Sequence, residues 1–138
     1  WNESDSKRGI YMGECRTLRA LLYLDMVRLW GNIPLFLEPV NENRAPSPAK
    51  EVFSAIFTDL KYAIENIPGD AYPKADYTKN DGHITKYAAE ALLARAYLFY
   101  TGYYGEEPVE ETRADALAAV EYVIASGEYG LVPQSKNL

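Results

Sequence analysis

The stretch from Lys86 to Gly102 constrains the fold most, because only three of its seventeen residues carry a charge. Apolar side chains occupy most other positions, so a helix formed here is apolar on all sides and must be buried against several neighbours. Its five alanines keep the helix narrow and favour helix formation. We therefore predict that this stretch is the central helix of an α-helical domain and that it ends at Gly102.

An earlier stretch repeats this pattern. Ala20–Gly31 aligns with Ala91–Gly102 at an offset of 71, and both begin Ala-Leu-Leu and end in glycine. Downstream of each, Asp59–Ile64 aligns with Ala119–Ile124 at an offset of 60. The alternation of the two patterns predicts four helices, arranged as two helix pairs.

Repeated helix pairs of this length are typical of tetratricopeptide-like arrays. The predicted fold class is therefore all-α, a tetratricopeptide-like right-handed stack of two antiparallel helix pairs (an α-α superhelix) with long loops. We expect one domain over residues 1–138, with the first pair at about 14–68 and the second at about 84–127. The apolar stripe predicted for the fourth helix consists of Ala116, Leu117, Val120, Val123 and Ile124.

Turn and capping residues predict the helix boundaries. We expect an irregular leading segment over residues 1–12, with Gly9 and Gly13 as helix breakers, and a first helix that begins near Glu14. The apolar stretch from Leu35 to Leu37 is predicted to lie across the bundle in a strand-like conformation. The expected N-caps, whose side chains accept hydrogen bonds from first-turn amides, are Ser47, Thr85 and Thr112, the last with Asp115 three residues on.

Composition excludes several classes of function. The net charge is −6 and Lys and Arg are not clustered, which argues against a nucleic-acid partner. Asp25 and Arg28 interrupt the one stretch apolar enough to be considered as a membrane span, and no signal peptide is recognisable. Cys15 is the only cysteine, so no internal disulfide can form. Because the chain begins without Met, we expect it to be a piece of a longer protein.

No catalytic or metal-binding pattern is present. His83 has no second His or Cys with which to hold a metal, so we predict an exposed loop histidine and no cofactor. Four glutamates follow Gly105, but glycoside hydrolysis needs two carboxyl groups held rigidly about 5–9.5 Å apart. We interpret the run Glu106, Glu107, Glu110 and Glu111 as solvated and predict that the protein is not an enzyme.

The chain is rich in tyrosine, with 12 among its 138 residues. An exposed tyrosine offers a flat apolar face and a hydroxyl at its rim, which suits a sugar ring. It equally suits a protein partner, and such rings can also simply cover helix ends. The candidate ligand-binding residues are the aromatic side chains in or next to the connections: Trp30, Tyr72, Tyr77, Tyr103 and Tyr104.

Four stretches together resemble the SusD/RagB family, surface lipoproteins of Bacteroidetes that bind glycans. The strongest is R-T-L-R-A-L-L-Y-L-D-M-V-R-L-W-G-N-I-P-L, Arg16 to Leu35. The others are Asp59 to Pro68, Ile84 to Gly102 and Ala119 to Pro133, in the family's order and spacing. The resemblance covers nearly the whole chain.

The resemblance implies an α-helical, non-enzymatic protein at the outer membrane and cell surface, anchored by an N-terminal lipid that this chain does not contain. It also implies docking on a SusC-like TonB-dependent transporter, to which captured oligosaccharides are delivered. Family members are several times longer, and much of their sugar-contacting surface lies in loops outside the helical repeats. No glycan-binding motif is close enough to be transferred residue by residue.

The alternative function is a tetratricopeptide-like scaffold for protein–protein interaction. A glycan-binding protein should gather the aromatic candidates on one exposed surface. A scaffold should instead expose an apolar groove between helices, larger than a few hundred Å². An enzyme of carbohydrate breakdown is the least favoured class.

Overall fold

The computed structural model describes residues 4–72 and 82–130 and consists of helices joined by loops. The helices are α1 (Asp5–Trp30), α2 (Ala49–Asn66), α3 (Lys86–Tyr104) and α4 (Arg113–Ala125). Over these described residues, the prediction of an all-α fold with four helices is therefore confirmed. Within the described ranges, the extended backbone pairs only at an isolated bridge between Ile33 and Ser47. None of the described helices combines the length and the apolar character that crossing a bilayer requires.

Neighbouring helices run antiparallel, so α1 and α3 point the same way. The start of α1 packs against the end of α2, where Gly9 faces Asn66. The start of α2 packs against the end of α3, where Phe53 meets Tyr100. The shared core lies around α2, which contributes five almost fully buried apolar residues: Val52, Phe53, Ile56, Phe57 and Leu60.

The first helix begins nine residues earlier than predicted, at Asp5 instead of Glu14. Gly9 and Gly13 are buried inside it and do not break it. A Cβ added at Gly13 would lie 2.8 Å from Ile67 Cγ1, and one added at Gly9 would lie 2.9 Å from Asn66 Oδ1. The glycines let two helices approach closely, and this packing outweighs their poor helix propensity.

The capping predictions are confirmed for two helices and wrong for α2. The Thr85 hydroxyl accepts from the Ala88 amide, and Thr112 and Asp115 form a reciprocal capping box. At α2, Ser47 does not cap; instead Asn32 Oδ1, reaching from the α1–α2 connection, accepts from the Ala49 amide at 2.9 Å.

Two shorter predictions also need correction. Helix α3 continues past Gly102 to Tyr104 and ends at Gly105, which has a left-handed backbone with φ of 70°. The stretch from Leu35 to Leu37 is not a strand. It is held against α1 by Tyr23, whose hydroxyl oxygen accepts from the Phe36 amide at 2.7 Å.

A buried ion pair joins α1 to α2. Asp59 is buried, and both of its carboxylate oxygens accept hydrogen bonds of 2.7 Å from Arg19. The same guanidinium donates to the Leu37 carbonyl oxygen at 2.6 Å, so one side chain ties together two helices and their connection. By contrast, the Asp25–Arg28 pair within α1 lies on the surface with a separation of 3.5 Å.

Candidate functional site

Three of the five aromatic candidates lie at one end of the bundle. Because α1 and α3 are parallel, their last residues lie at the same end, and these include Trp30, Tyr103 and Tyr104. Trp30 is 67% exposed and Tyr103 is 72% exposed, whereas Tyr104 is half-buried. We call these three residues together with Phe99 the aromatic end.

Neighbouring rings hold Tyr103 in place. It stacks nearly parallel on Phe99, with ring centroids 6.0 Å apart and an angle of 7° between the planes. Tyr104 meets it edge-on at 4.9 Å and is itself anchored edge-on against the buried ring of Phe53, at 6.1 Å. The Tyr103 ring is therefore both exposed and supported, which is the arrangement that stacking on an apolar ligand face requires.

The cations beside these rings already have carboxylate partners. Lys50 Nζ lies 5.1 Å from the Tyr104 ring centroid and 2.5 Å from a Glu106 carboxylate oxygen. This pairing raises the pKa of Lys50 and lowers the pKa of Glu106. Because the charges compensate, the aromatic end offers stacking and hydrogen bonding more than a net charge.

The remaining two candidates do not join this group. Tyr72 follows α2 and donates a hydrogen bond of 2.6 Å to Glu14 Oε1. Glu14 precedes Trp30 by sixteen residues of α1, or about 24 Å along the helix axis at 1.5 Å per residue. Tyr77 lies outside the described residues. The structure thus places Tyr72 well away from the aromatic end, and the ligand-binding role of all five residues stays a prediction.

His83 is an exposed loop residue, as predicted, and it also belongs to a cluster of side chains. Its ring stacks on Tyr72 with centroids 4.2 Å apart, and its Nδ1 lies 2.8 Å from Glu14 Oε2. Burial alone would raise the pKa of Glu14, but the hydrogen bonds from Tyr72, His83 and the Ile84 amide together lower it. This cluster fastens the α2–α3 connection to the side of α1.

The interpretation of the glutamate run as solvated holds for the exposed Glu106 and Glu107, but it is wrong for the buried Glu111. Glu106 pairs with Lys50, and Glu107 accepts a hydrogen bond of 2.9 Å from the Tyr97 hydroxyl. Further along, Glu110 accepts from the Ser54 hydroxyl, and the buried Glu111 lies 3.0 Å from Lys61 Nζ. These contacts are made mostly with α2, and they hold the α3–α4 connection against the bundle. The residues that make them are Glu106, Glu107, Glu110 and Glu111.

A polar cavity of about 450 Å³ lies between α2, α3 and α4. Two of the carboxyl groups that line it, from Glu90 and Glu111, are buried, and burial raises the pKa of both. Sequence reasoning missed this site, although Glu90 was visible as one of the few charges in an apolar helix. The described residues contain no cluster of His, Cys, Asp or Glu that could hold a metal ion.

Residues 2–98 match a SusD-like family model described as "Starch-binding associating with outer membrane". The chain belongs to the SusD-like family. A SusD-like protein of Bacteroides ovatus is 29% identical over 106 residues, which are 72% of this chain and 18% of that protein. SusD-like protein P25 of Formosa agariphila is 32% identical over 91 residues, 63% of this chain and 16% of that protein.

Solved SusD-like structures share the fold. A SusD-like protein of Bacteroides fragilis aligns with a TM-score of 0.69 and 29% identity over 95% of this chain and 23% of its own. A laminarin-binding SusD-like protein aligns with a TM-score of 0.68 and 25% identity, over 88% of this chain and 24% of its own. The chain thus spans between about a sixth and a quarter of these SusD-like proteins.

Proposed function

We propose that this chain is the helical part of a cell-surface protein that binds glycans without acting on them. The membership of the SusD-like family carries this proposal, because the family model is described as starch-binding. A structural relative at 25% identity binds laminarin, which is also a glucan. The aromatic end supplies a matching surface in this chain.

Stacking on Tyr103 is the central contact of the proposed site. Its exposed ring face would cover the C–H face of a sugar, while the support of Phe99 and Tyr104 lowers the entropy lost on binding. Hydroxyl groups of the sugar would bond to the Tyr103 hydroxyl and to the Lys50–Glu106 pair. Because that pair is neutral as a whole, the site should favour uncharged glycans.

The same family membership supports a proposal for the wider role. We propose that the complete protein is anchored by lipid at the outer membrane and passes oligosaccharides to a SusC-like TonB-dependent transporter. A gene for such a transporter next to the gene for this protein would support that part of the proposal. A tetratricopeptide-like scaffold remains the second candidate, favoured by the apolar groove between α3 and α4.

Calorimetric titration of the complete protein with a panel of neutral and acidic oligosaccharides tests the proposal. We expect Tyr103→Ala to weaken binding by about tenfold, the usual effect of removing a binding hot spot. Tyr11→Ala, which removes an exposed ring from the first half of α1, is the matched control and should bind like the wild type. If no glycan in the panel binds the wild-type protein, the proposed function is wrong.

A further inference from the structure

Charge is unbalanced in the polar cavity between α2, α3 and α4, which we call the carboxyl cavity. Its lining includes four carboxyl side chains but only two ammonium side chains. The carboxyl groups belong to Glu65, Glu90, Glu111 and Asp115, and the ammonium groups belong to Lys61 and Lys86. A buried charge is costly unless a group of opposite sign compensates it. The cavity therefore has an excess of acidic groups that its described lining does not neutralise.

Glu111 is buried in this cavity without a hydrogen-bond donor. Its side chain is 1% exposed, and neither of its carboxylate oxygens accepts a hydrogen bond from a described residue. Lys61 Nζ lies 3.0 Å from Oε2, but it donates to the Glu110 carbonyl oxygen. Burial raises the pKa of Glu111 despite this neighbouring ammonium group. Because buried polar groups are nearly always hydrogen-bonded, Glu111 presents an unfilled acceptor to the cavity.

Glu90 lines the same cavity from α3 and is also buried. Burial raises its pKa, and the charge of Glu111 adds to this effect, while Lys86 acts against it. Asp115 is already engaged in the capping box of α4, and Glu65 is exposed. Glu90 and Glu111 are therefore the two carboxyl groups that gain most from a cation, because a positive charge beside them favours their ionised forms.

The rest of the wall decides which kind of cation fits. Ile64, Leu93 and Ala119 give the cavity an apolar side that suits a methylene chain. A calcium ion takes six to eight oxygen ligands, whereas the described residues contain no cluster of metal-binding side chains. A neutral sugar would leave the buried carboxylates uncompensated. These features together favour an organic cation.

We propose that the carboxyl cavity binds a small organic diamine, with its ammonium groups on Glu90 and Glu111. Its methylene chain packs on Ile64 and Leu93, and its two charges match the excess of two carboxyl groups. The cavity volume of about 450 Å³ lies within the range of about 300–1,000 Å³ that ligand pockets have. Glu90 precedes Tyr103 by thirteen residues of α3, or about 20 Å along the helix axis. The site is therefore separate from the aromatic end and does not depend on glycan binding.

Isothermal titration calorimetry of the complete protein with putrescine, a four-carbon diamine, tests this proposal. A salt concentration of about 0.15 M screens weak attraction to exposed charges. Butanediol has the same length without the charges, and calcium chloride supplies a metal cation. Glu111→Gln removes the charge and keeps the shape of the side chain. Glu121→Gln is the matched control, because Glu121 is exposed on α4 and does not line the cavity.

We expect the wild-type protein to bind putrescine and not butanediol. Glu111→Gln should bind putrescine at least about tenfold more weakly, a factor that corresponds to about 1.4 kcal/mol, and Glu121→Gln should bind it like the wild type. Circular dichroism checks the fold of each variant, and Glu90→Gln makes the same test if Glu111→Gln does not fold. The proposal is overturned if the wild type does not bind putrescine, or if butanediol or calcium binds as tightly. Equal weakening by Glu111→Gln and Glu121→Gln would also overturn it.

Discussion

Replacing Gly13 by alanine tests the close packing of α1 on α2. In an ordinary helix interior this change stabilises the protein by about 1 kcal/mol, the difference in helix propensity between glycine and alanine. Here the new Cβ would lie 2.8 Å from Ile67 Cγ1, 3.1 Å from Ile67 Cδ1 and 3.3 Å from Ala63 Cα. Ala63 Cα belongs to the backbone of α2 and cannot rotate away, and Ile67 is stiff because it is branched at Cβ.

Overpacking a tight contact of this kind costs about 1–3 kcal/mol. Because this cost exceeds the gain in helix propensity, Gly13→Ala should lower the free energy of unfolding by about 1 kcal/mol net. Gly102→Ala is the matched control, since Gly102 lies within α3 and a Cβ there would meet nothing within 4 Å. That variant should raise the free energy of unfolding by about 0.5–1 kcal/mol.

Urea unfolding followed by circular dichroism measures both variants, and an unchanged slope shows that only stability has changed. In an Ile67→Ala background the contact is relieved, so most of the cost of Gly13→Ala should disappear. If Gly13→Ala stabilises the protein as much as Gly102→Ala does, the close approach of the two helices is refuted.

Three further predictions concern the polar contacts. Asp59→Asn leaves the half-buried Arg19 without its charge partner and should lower the free energy of unfolding in urea by about 2–4 kcal/mol. Asp25→Asn, on the surface, should lower it by less than about 1 kcal/mol. Equal losses would contradict the argument from burial. Burial raises the pKa of Glu90 above its ordinary 4.5, so wild-type stability should fall as the pH rises from 4.5 through the folded-state pKa. Glu90→Gln should make this fall smaller, with the part due to Glu111 left in place, and should be the more stable protein at pH 8. The pKa of Glu14 is lowered instead, so its contribution to stability is complete above pH 4.5 and is lost as the pH falls through the folded-state pKa. In thermal melts, Glu14→Gln should destabilise the protein at pH 7 and should remove this loss of stability at acid pH.

The placement of the aromatic candidates illustrates how far local patterns reach. The pattern correctly placed Trp30 at the end of a helix, but it placed Tyr103 in the connection after Gly102, whereas α3 continues to Tyr104. Both rings are exposed. It could not predict which of them share a surface, because that depends on helix direction and length. Because α1 and α3 are parallel, Trp30 and Tyr103 lie at the same end of the bundle. Tyr72 lies beside Glu14 instead.

The sequence by itself determined the helices, their order as two repeated pairs, and the caps at Thr85 and Thr112. These depend on apolar periodicity and on side chains that bond to amides two or three residues away, so the information is local. Only the tertiary structure decided that Gly13 continues a helix and that Glu111 is buried beside Lys61. Each of those outcomes depends on a partner about fifty residues away in the chain, which no local pattern specifies.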